Sequence, residues 1–184
     1  MENHLKGKNV VLSICGGIAV YKVCDLIRKL ISLDAVVTCI MTENAMKFVT
    51  PLTFQTLSNN KVYHDMFDTS SWDIDHISLA KKADIVVVVP ATANTIAKLA
   101  YGFADNLVCS TVLATKAKVL VCPAMNTNML EHQATQKNII TLKDYGYKFV
   151  EPKIGKLACG IVGNGNLASV ETIVETIIRE IAQD

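Results

Sequence analysis

The chain has almost no excess of charge of either sign: 18 lysines and arginines stand against 17 aspartates and glutamates, a formal net charge of +1. A surface so balanced gives a nucleic acid or an anionic membrane nothing to be drawn to. Aromatic residues are scarce, at 6%, although 51% of the 184 residues are hydrophobic. The core must therefore be built from Val, Ile, Leu and Ala, the profile of an α/β domain. No apolar run reaches the roughly 18 residues of a membrane span. The opening Met1-Glu2-Asn3-His4-Leu5-Lys6 is too polar for a secretory signal. With both absent, the expected address is cytoplasmic. There is no CxxC pair and the four histidines are scattered, which argues against a metal site. No repeat, low-complexity tract or linker divides the chain. The expectation is a single domain over 1–184 with a polar N-terminal tail over about 1–8.

Cysteine is present six times, at 15, 24, 39, 109, 122 and 159. Five of these lie within apolar strand or helix patterns, where a reduced thiol behaves as a small hydrophobe. Cys159 alone sits in a glycine-rich stretch.

Short β-branched runs alternate with helical segments, the signature of a parallel sheet covered on both faces. The expected fold class is α/β, a three-layer α/β/α arrangement. Strands are predicted over 9–14, 35–41, 85–89, 118–122 and 148–150, with Pro90 and Pro123 stopping the third and fourth. The run 85–89 is apolar throughout, as a strand buried on both faces should be. Helices are predicted over 18–33, 92–101, 105–115 and 134–145, and over a last segment carrying Val170, Ile173, Val174, Ile177, Ile178 and Ile181 at helical spacing. Residues 58–76, 125–133 and 151–168 read as irregular.

Open α/β sheets bind ligands beyond the carboxyl ends of their strands. Gly16-Gly17, Thr42, 91–95 and 124–129 each follow a predicted strand, so four loops converge on one rim, and the stretch around Cys159 is a candidate fifth. Glycines at 16 and 17 opening a helix suit either an anion or an ordinary tight turn. No carboxylate ends the second strand, which argues against a nicotinamide dinucleotide. Thr92 or Asn94 is explained by helix capping as well as by ligand binding. The mixture Met125-Asn126-Thr127-Asn128-Met129 reads as non-helical, with amides able to hold a carboxylate. His76, between Asp75 and Ile77, reads as a residue just before a short helical run.

Taken in order, GGIAVYK, DHISLAKKADIVVVVPATANTIAKLAYGFADNL, PAMNTNM and LACGIVGNGNLA resemble the homo-oligomeric flavin-containing cysteine decarboxylases over nearly the whole chain, about 9–168. The resemblance implies a Rossmann-like or flavodoxin-like fold that binds FMN at a subunit interface of a homotrimer or homododecamer. It carries FMN contacts onto Gly17, Ile18, Ala19, Thr42, Thr92, Ala93, Asn94, Thr95 and Ala124. His76 matches the family's base, often supplied across the interface, and Asn126 the residue that holds the substrate carboxylate. Cys159 matches the acid that completes the reaction, and Met129, Leu157 and Ala158 fall in the substrate-binding segments. The implied substrate is 4'-phosphopantothenoylcysteine, a small molecule on the route to coenzyme A. Its thiol-bearing carbon would be oxidised to a thioaldehyde, so that the electrons left by CO2 enter a C=S bond. Relatives that decarboxylate the terminal cysteine of peptides stop at an enethiol and need no acid such as Cys159. Non-catalytic FMN-binding regulators need none of the three residues. Two departures are visible: Leu130 stands where Trp often closes the PAMN motif, and Asn166 where many relatives have Arg.

Overall fold

The computed structural model describes residues 4–68, 74–158, 160 and 162–183. Six strands form one sheet: β1 (Asn9–Ile14), β2 (Val36–Met41), β3 (Val62–Tyr63), β4 (Ile85–Ala91), β5 (Lys118–Pro123) and β6 (Lys148–Phe149). Their order is β3-β2-β1-β4-β5-β6, and every neighbouring pair is parallel. β1 is central, with Val11 paired to Thr38 on one side and Val86 on the other. In β4, Ile85, Val87 and Val89 join one core and Val86, Val88 and Ala91 the other. This two-sided burial explains why the run has no polar alternation.

One face is covered by α1 (Val23–Ile31), α3 (Pro51–Ser58) and α9 (Val170–Ala182). Val23, Leu26, Ile27 and Leu30 recur at the period of a helix and are buried in α1. Burying each such side chain stabilises the fold by about 2 kcal/mol. In α9, Ile173, Val174, Ile177 and Ile181 do the same, and the Ser169 hydroxyl caps the helix by accepting the Thr172 N–H at 3.1 Å. The other face holds α4 (Asp75–Lys82), α5 (Ala93–Ala100), α6 (Leu107–Ala114) and α8 (Gln133–Asp144). The three-layer α/β/α expectation is correct.

Several boundaries differ from the sequence expectation. The segment 18–33 begins as a 3-10 turn, Ile18–Lys22, before α1 starts. β4 runs on through Pro90 to Ala91, because a register shift between Val88 and Ala91 leaves the proline, which has no N–H, outside the regular ladder. Three helices went unforeseen, α2 (Glu43–Met46), α3 and a short turn over Thr127–Glu131. α3 starts at Pro51, in the first-turn position proline favours, and ends at Asn59 in the left-handed region. It buries only Phe54 and Ser58, too short a stripe to register as a period. The three stretches read as irregular contain β3, the short helix α7 (Thr127–Glu131) and an antiparallel hairpin of β7 (Lys153–Lys156) and β8 (Val162–Asn166). Within the stretch read as a polar tail, Leu5 is fully buried and the Gly7 N–H bonds to the Asp34 carbonyl. Among the described residues no helix is long and apolar enough to cross a membrane.

Candidate active site

The strand order reverses between β1 and β4, so their following loops diverge and leave a crevice at the carboxyl edge of the sheet. A cleft of about 630 Å³ occupies it, within the range of small-molecule sites. Gly16 to Ala19 enter from β1, Thr42 to Asn44 from β2, Thr92 to Thr95 from β4, and Ala124 to Asn126 from β5. Leu157, Ala158 and Gly165 to Leu167 come from the hairpin region.

Each loop is pinned by local chemistry. Gly16 passes so close to α2 that a methyl placed on it would lie 2.4 Å from the Asn44 Cβ and 2.7 Å from its backbone carbonyl carbon. Only glycine allows that approach, which closes one wall of the cleft. The Thr42 hydroxyl caps α2 by accepting the Ala45 N–H at 3.3 Å. The Thr92 hydroxyl accepts the Thr95 N–H and donates to the Thr95 hydroxyl, both at 3.2 Å. Thr92 is therefore a helix cap that also lines the cleft. α5 begins at Ala93, and the first N–H groups of a helix lack intrahelical acceptors. Their partial positive charge suits an anion in the cleft.

Asn126 caps α7, its side-chain oxygen accepting the Asn128 N–H at 2.9 Å. The expectation of a non-helical Asn/Met segment is thus corrected. One turn, held down by buried Leu130, is too brief to show helical spacing. Met129 projects from that turn at the cleft and is half exposed.

Ionisable groups around the cleft are few. Lys98 stands four residues beyond Asn94, on the same side of α5, and pairs with Asp105. The Lys98 ammonium beside Asp105 holds that carboxyl below the usual carboxylate range. The second Asp105 oxygen accepts from the Asn106 amide at 2.9 Å, and Asn106 caps α6 through the Cys109 N–H at 3.0 Å. With its lysine engaged in this way, the cleft offers backbone N–H groups and neutral amides more than free charge.

All nine residues expected around FMN line this one cleft, as do Asn126, Met129, Leu157 and Ala158. His76 does not line it. It lies inside α4 rather than before it, half-buried, with its Nδ1 buried and unbonded among the described residues. Cys159 lies outside the described residues, between Ala158 of the cleft wall and Gly160. Sequence reasoning missed Glu43, Asn44, Lys98, Asp105 and Asn106 as wall residues. Asp105-Asn106 ahead of an apolar run carried a capping signal. Lys98 followed from its spacing to Asn94. Nothing marked Asn44.

The remaining described cysteines are bystanders. Cys15 and Cys39 are pushed up to about 12 by burial, and burial raises Cys24, Cys109 and Cys122 as well, so all five stay protonated thiols at neutral pH.

A crevice of this kind is where doubly wound α/β proteins bind nucleotides. The chain belongs to the flavoprotein family, whose model matches residues 1–182. It is 48% identical over 181 residues to the coenzyme A biosynthesis bifunctional protein CoaBC of Bacillus subtilis, covering 98% of this chain and 45% of that protein. The chain thus spans less than half the length of that relative. It is 46% identical over 177 residues to a probable phosphopantothenoylcysteine decarboxylase of Streptococcus mutans, covering 95% of this chain and 99% of that one. Among solved structures, a Cys-to-Ser mutant of PPC decarboxylase complexed with pantothenoylaminoethenethiol superposes with a TM-score of 0.86 at 29% identity, over 97% of this chain and all of the other.

Proposed function

We propose that this chain is a cytoplasmic FMN-dependent decarboxylase that converts 4'-phosphopantothenoylcysteine to 4'-phosphopantetheine in coenzyme A biosynthesis. The single observation that carries the reading is the convergence of the β1, β2, β4 and β5 loops and the hairpin on one cleft, with Asn126 and the flank of Cys159 in its wall.

The residues present fit FMN. Its one phosphate needs backbone N–H groups, which the turn after Gly17 and the start of α5 supply. Gly17 has room above it, the nearest atom to a methyl there being the Thr92 Cγ2 at 3.8 Å. Thr42, Thr92 to Thr95 and Ala124 would flank the rest. Bound FMN supplies a two-electron acceptor that later returns those electrons.

The chain's own groups do the remainder. Asn126, its oxygen engaged by the Asn128 N–H, turns its amide to orient the substrate carboxylate. His76 holds the proton that leaves the thiol. Cys159 delivers a proton to the product carbon. The hairpin and Leu157 exclude water from the cleft. His76 stands apart from the cleft of its own chain, which supports its donation to a neighbour's cleft in a homotrimer or homododecamer. Ile18 at the cleft and Ile74 beside His76 are 58% and 63% exposed, apolar surface suited to a second copy.

The deciding experiment is incubation of FMN-loaded protein with 4'-phosphopantothenoylcysteine, with CO2 and 4'-phosphopantetheine followed by mass. Failure to form either with yellow, folded protein rejects the reading. The wall at Gly16 gives a second check. Gly16→Ala forces the β1 loop away from Asn44, and strain of about 1–3 kcal/mol should weaken FMN binding by about fivefold to a hundredfold. Flavin absorbance per mole of purified protein measures it; a fully loaded Gly16→Ala protein would show that the wall is not what shapes the cofactor site.

A further inference from the structure

Asn126 stands between two tethers. Met125, before it, donates its backbone N–H to the Gly165 carbonyl at 3.0 Å. Thr127, after it, donates its hydroxyl to the Asn164 carbonyl at 2.7 Å. Both acceptors belong to β8. The junction has no space for side chains. A methyl on Gly163 would sit 2.3 Å from the Thr127 Oγ1, and one on Gly165 would sit 2.1 Å from the Met125 carbonyl oxygen. Gly165 also has φ +137°, a conformation that other residues rarely adopt. Because the Asn126 side chain is tied to the Asn128 N–H, its direction follows the backbone of 125–128.

We propose that Thr127, Gly163 and Gly165 are positioning residues for Asn126. β8 sets where the Asn126 amide stands, and through it how well the site tells a carboxylate-bearing substrate from the decarboxylated product. This rests on the reading of Asn126 as the residue that holds the carboxylate. A strand that only covered the cleft would, when loosened, weaken every ligand alike. A strand that aims Asn126 penalises the ligand with the carboxylate and spares the one without it.

The test uses FMN-loaded protein. In Thr127→Val, which keeps the shape and removes the donor, kcat/KM for 4'-phosphopantothenoylcysteine should fall about tenfold. The inhibition constant of 4'-phosphopantetheine, which lacks only the carboxylate, should change less than about twofold. Thr127→Ser keeps the hydroxyl and should restore the wild-type values. Thr127→Ala removes the Oγ1 that a methyl at 163 would strike and leaves only the Cβ, at 3.3 Å, so Thr127→Ala/Gly163→Ala should lose less than the two single changes combined, the non-additivity expected of one shared junction. Equal losses for substrate and product, or an unchanged kcat/KM, overturn the proposal. A readout free of turnover is hydrogen exchange at the Met125 amide, which should accelerate in Thr127→Val; unchanged protection also overturns it. If that exchange accelerates while wild-type protein releases no CO2, the tether stands and the functional reading falls.

Discussion

Replacing His76 with Asn should lower decarboxylation about a thousandfold, the middle of the range for losing a general acid–base group, with FMN content unchanged. Asparagine keeps a polar side chain of similar reach but cannot take up and release a proton near neutral pH. The second half of the expectation comes from geometry. His76 is on α4 and does not line the cleft of its own chain, so its loss should leave flavin absorbance per subunit as it was. The buried Nδ1, unbonded among the described residues, is the physical motive. A buried polar atom without a partner costs about 1–3 kcal/mol, and a group from a second subunit or a substrate would remove that cost. Mixed oligomers separate the two sources. If a neighbour's cleft uses His76, refolding inactive His76→Asn together with inactive Asn126→Ala regenerates clefts that carry both native residues, and activity returns. Inactive mixtures whose subunits are shown to exchange would place His76 in the service of its own cleft, and a fully active His76→Asn protein would make it a structural residue.

How much of this was legible in the amino-acid order depends on whether a residue's role is local. Five of the six strands of the central sheet were readable, the clearest because burial on both faces leaves the run 85–89 with no polar member; the two-residue β3 was too short to register. The rim was readable because β1, β2, β4 and β5 are each followed by a glycine, a hydroxyl or an amide, and a parallel sheet brings such ends to one edge. The hairpin was not. β7 and β8 carry Lys, Gly and Asn at positions that are exposed or half-buried except for Gly165, and what holds them in place is contact with 125–127, nearly 40 residues earlier in the chain. Glycines 163 and 165 read as loop residues, whereas the first leaves room for the Thr127 side chain and the second lets its backbone meet the Met125 carbonyl. The wall residue Asn44 was equally silent, because its part is to be approached by Gly16. His76 shows a third case: its residue type and neighbours marked it, but its separation from the cleft is a fact of three dimensions.

Cys159→Ser should uncouple loss of CO2 from completion of the reaction. The expected outcome is CO2 release with accumulation of an enethiol lighter than 4'-phosphopantetheine by two hydrogens, and formation of the saturated amine reduced about a hundredfold or more. The reason is acidity. A free thiol has a pKa of about 8.5 and gives up its proton readily near neutrality, whereas a serine hydroxyl of the same reach is a far weaker acid. No other cysteine among the described residues can take over. Cys15 and Cys39 are held near 12 by burial, and burial raises Cys24, Cys109 and Cys122 too. Ala158, the residue immediately before Cys159, lines the cleft together with Asn126, so the chain reaches the cleft within one residue of this thiol. The complex of a Cys-to-Ser PPC decarboxylase with pantothenoylaminoethenethiol is of the same chemical kind. Mass spectrometry of quenched reactions distinguishes the two products directly. If Cys159→Ser forms the saturated amine at the wild-type rate, the last proton comes from elsewhere, and what would separate this chain from enethiol-forming relatives is no longer its thiol.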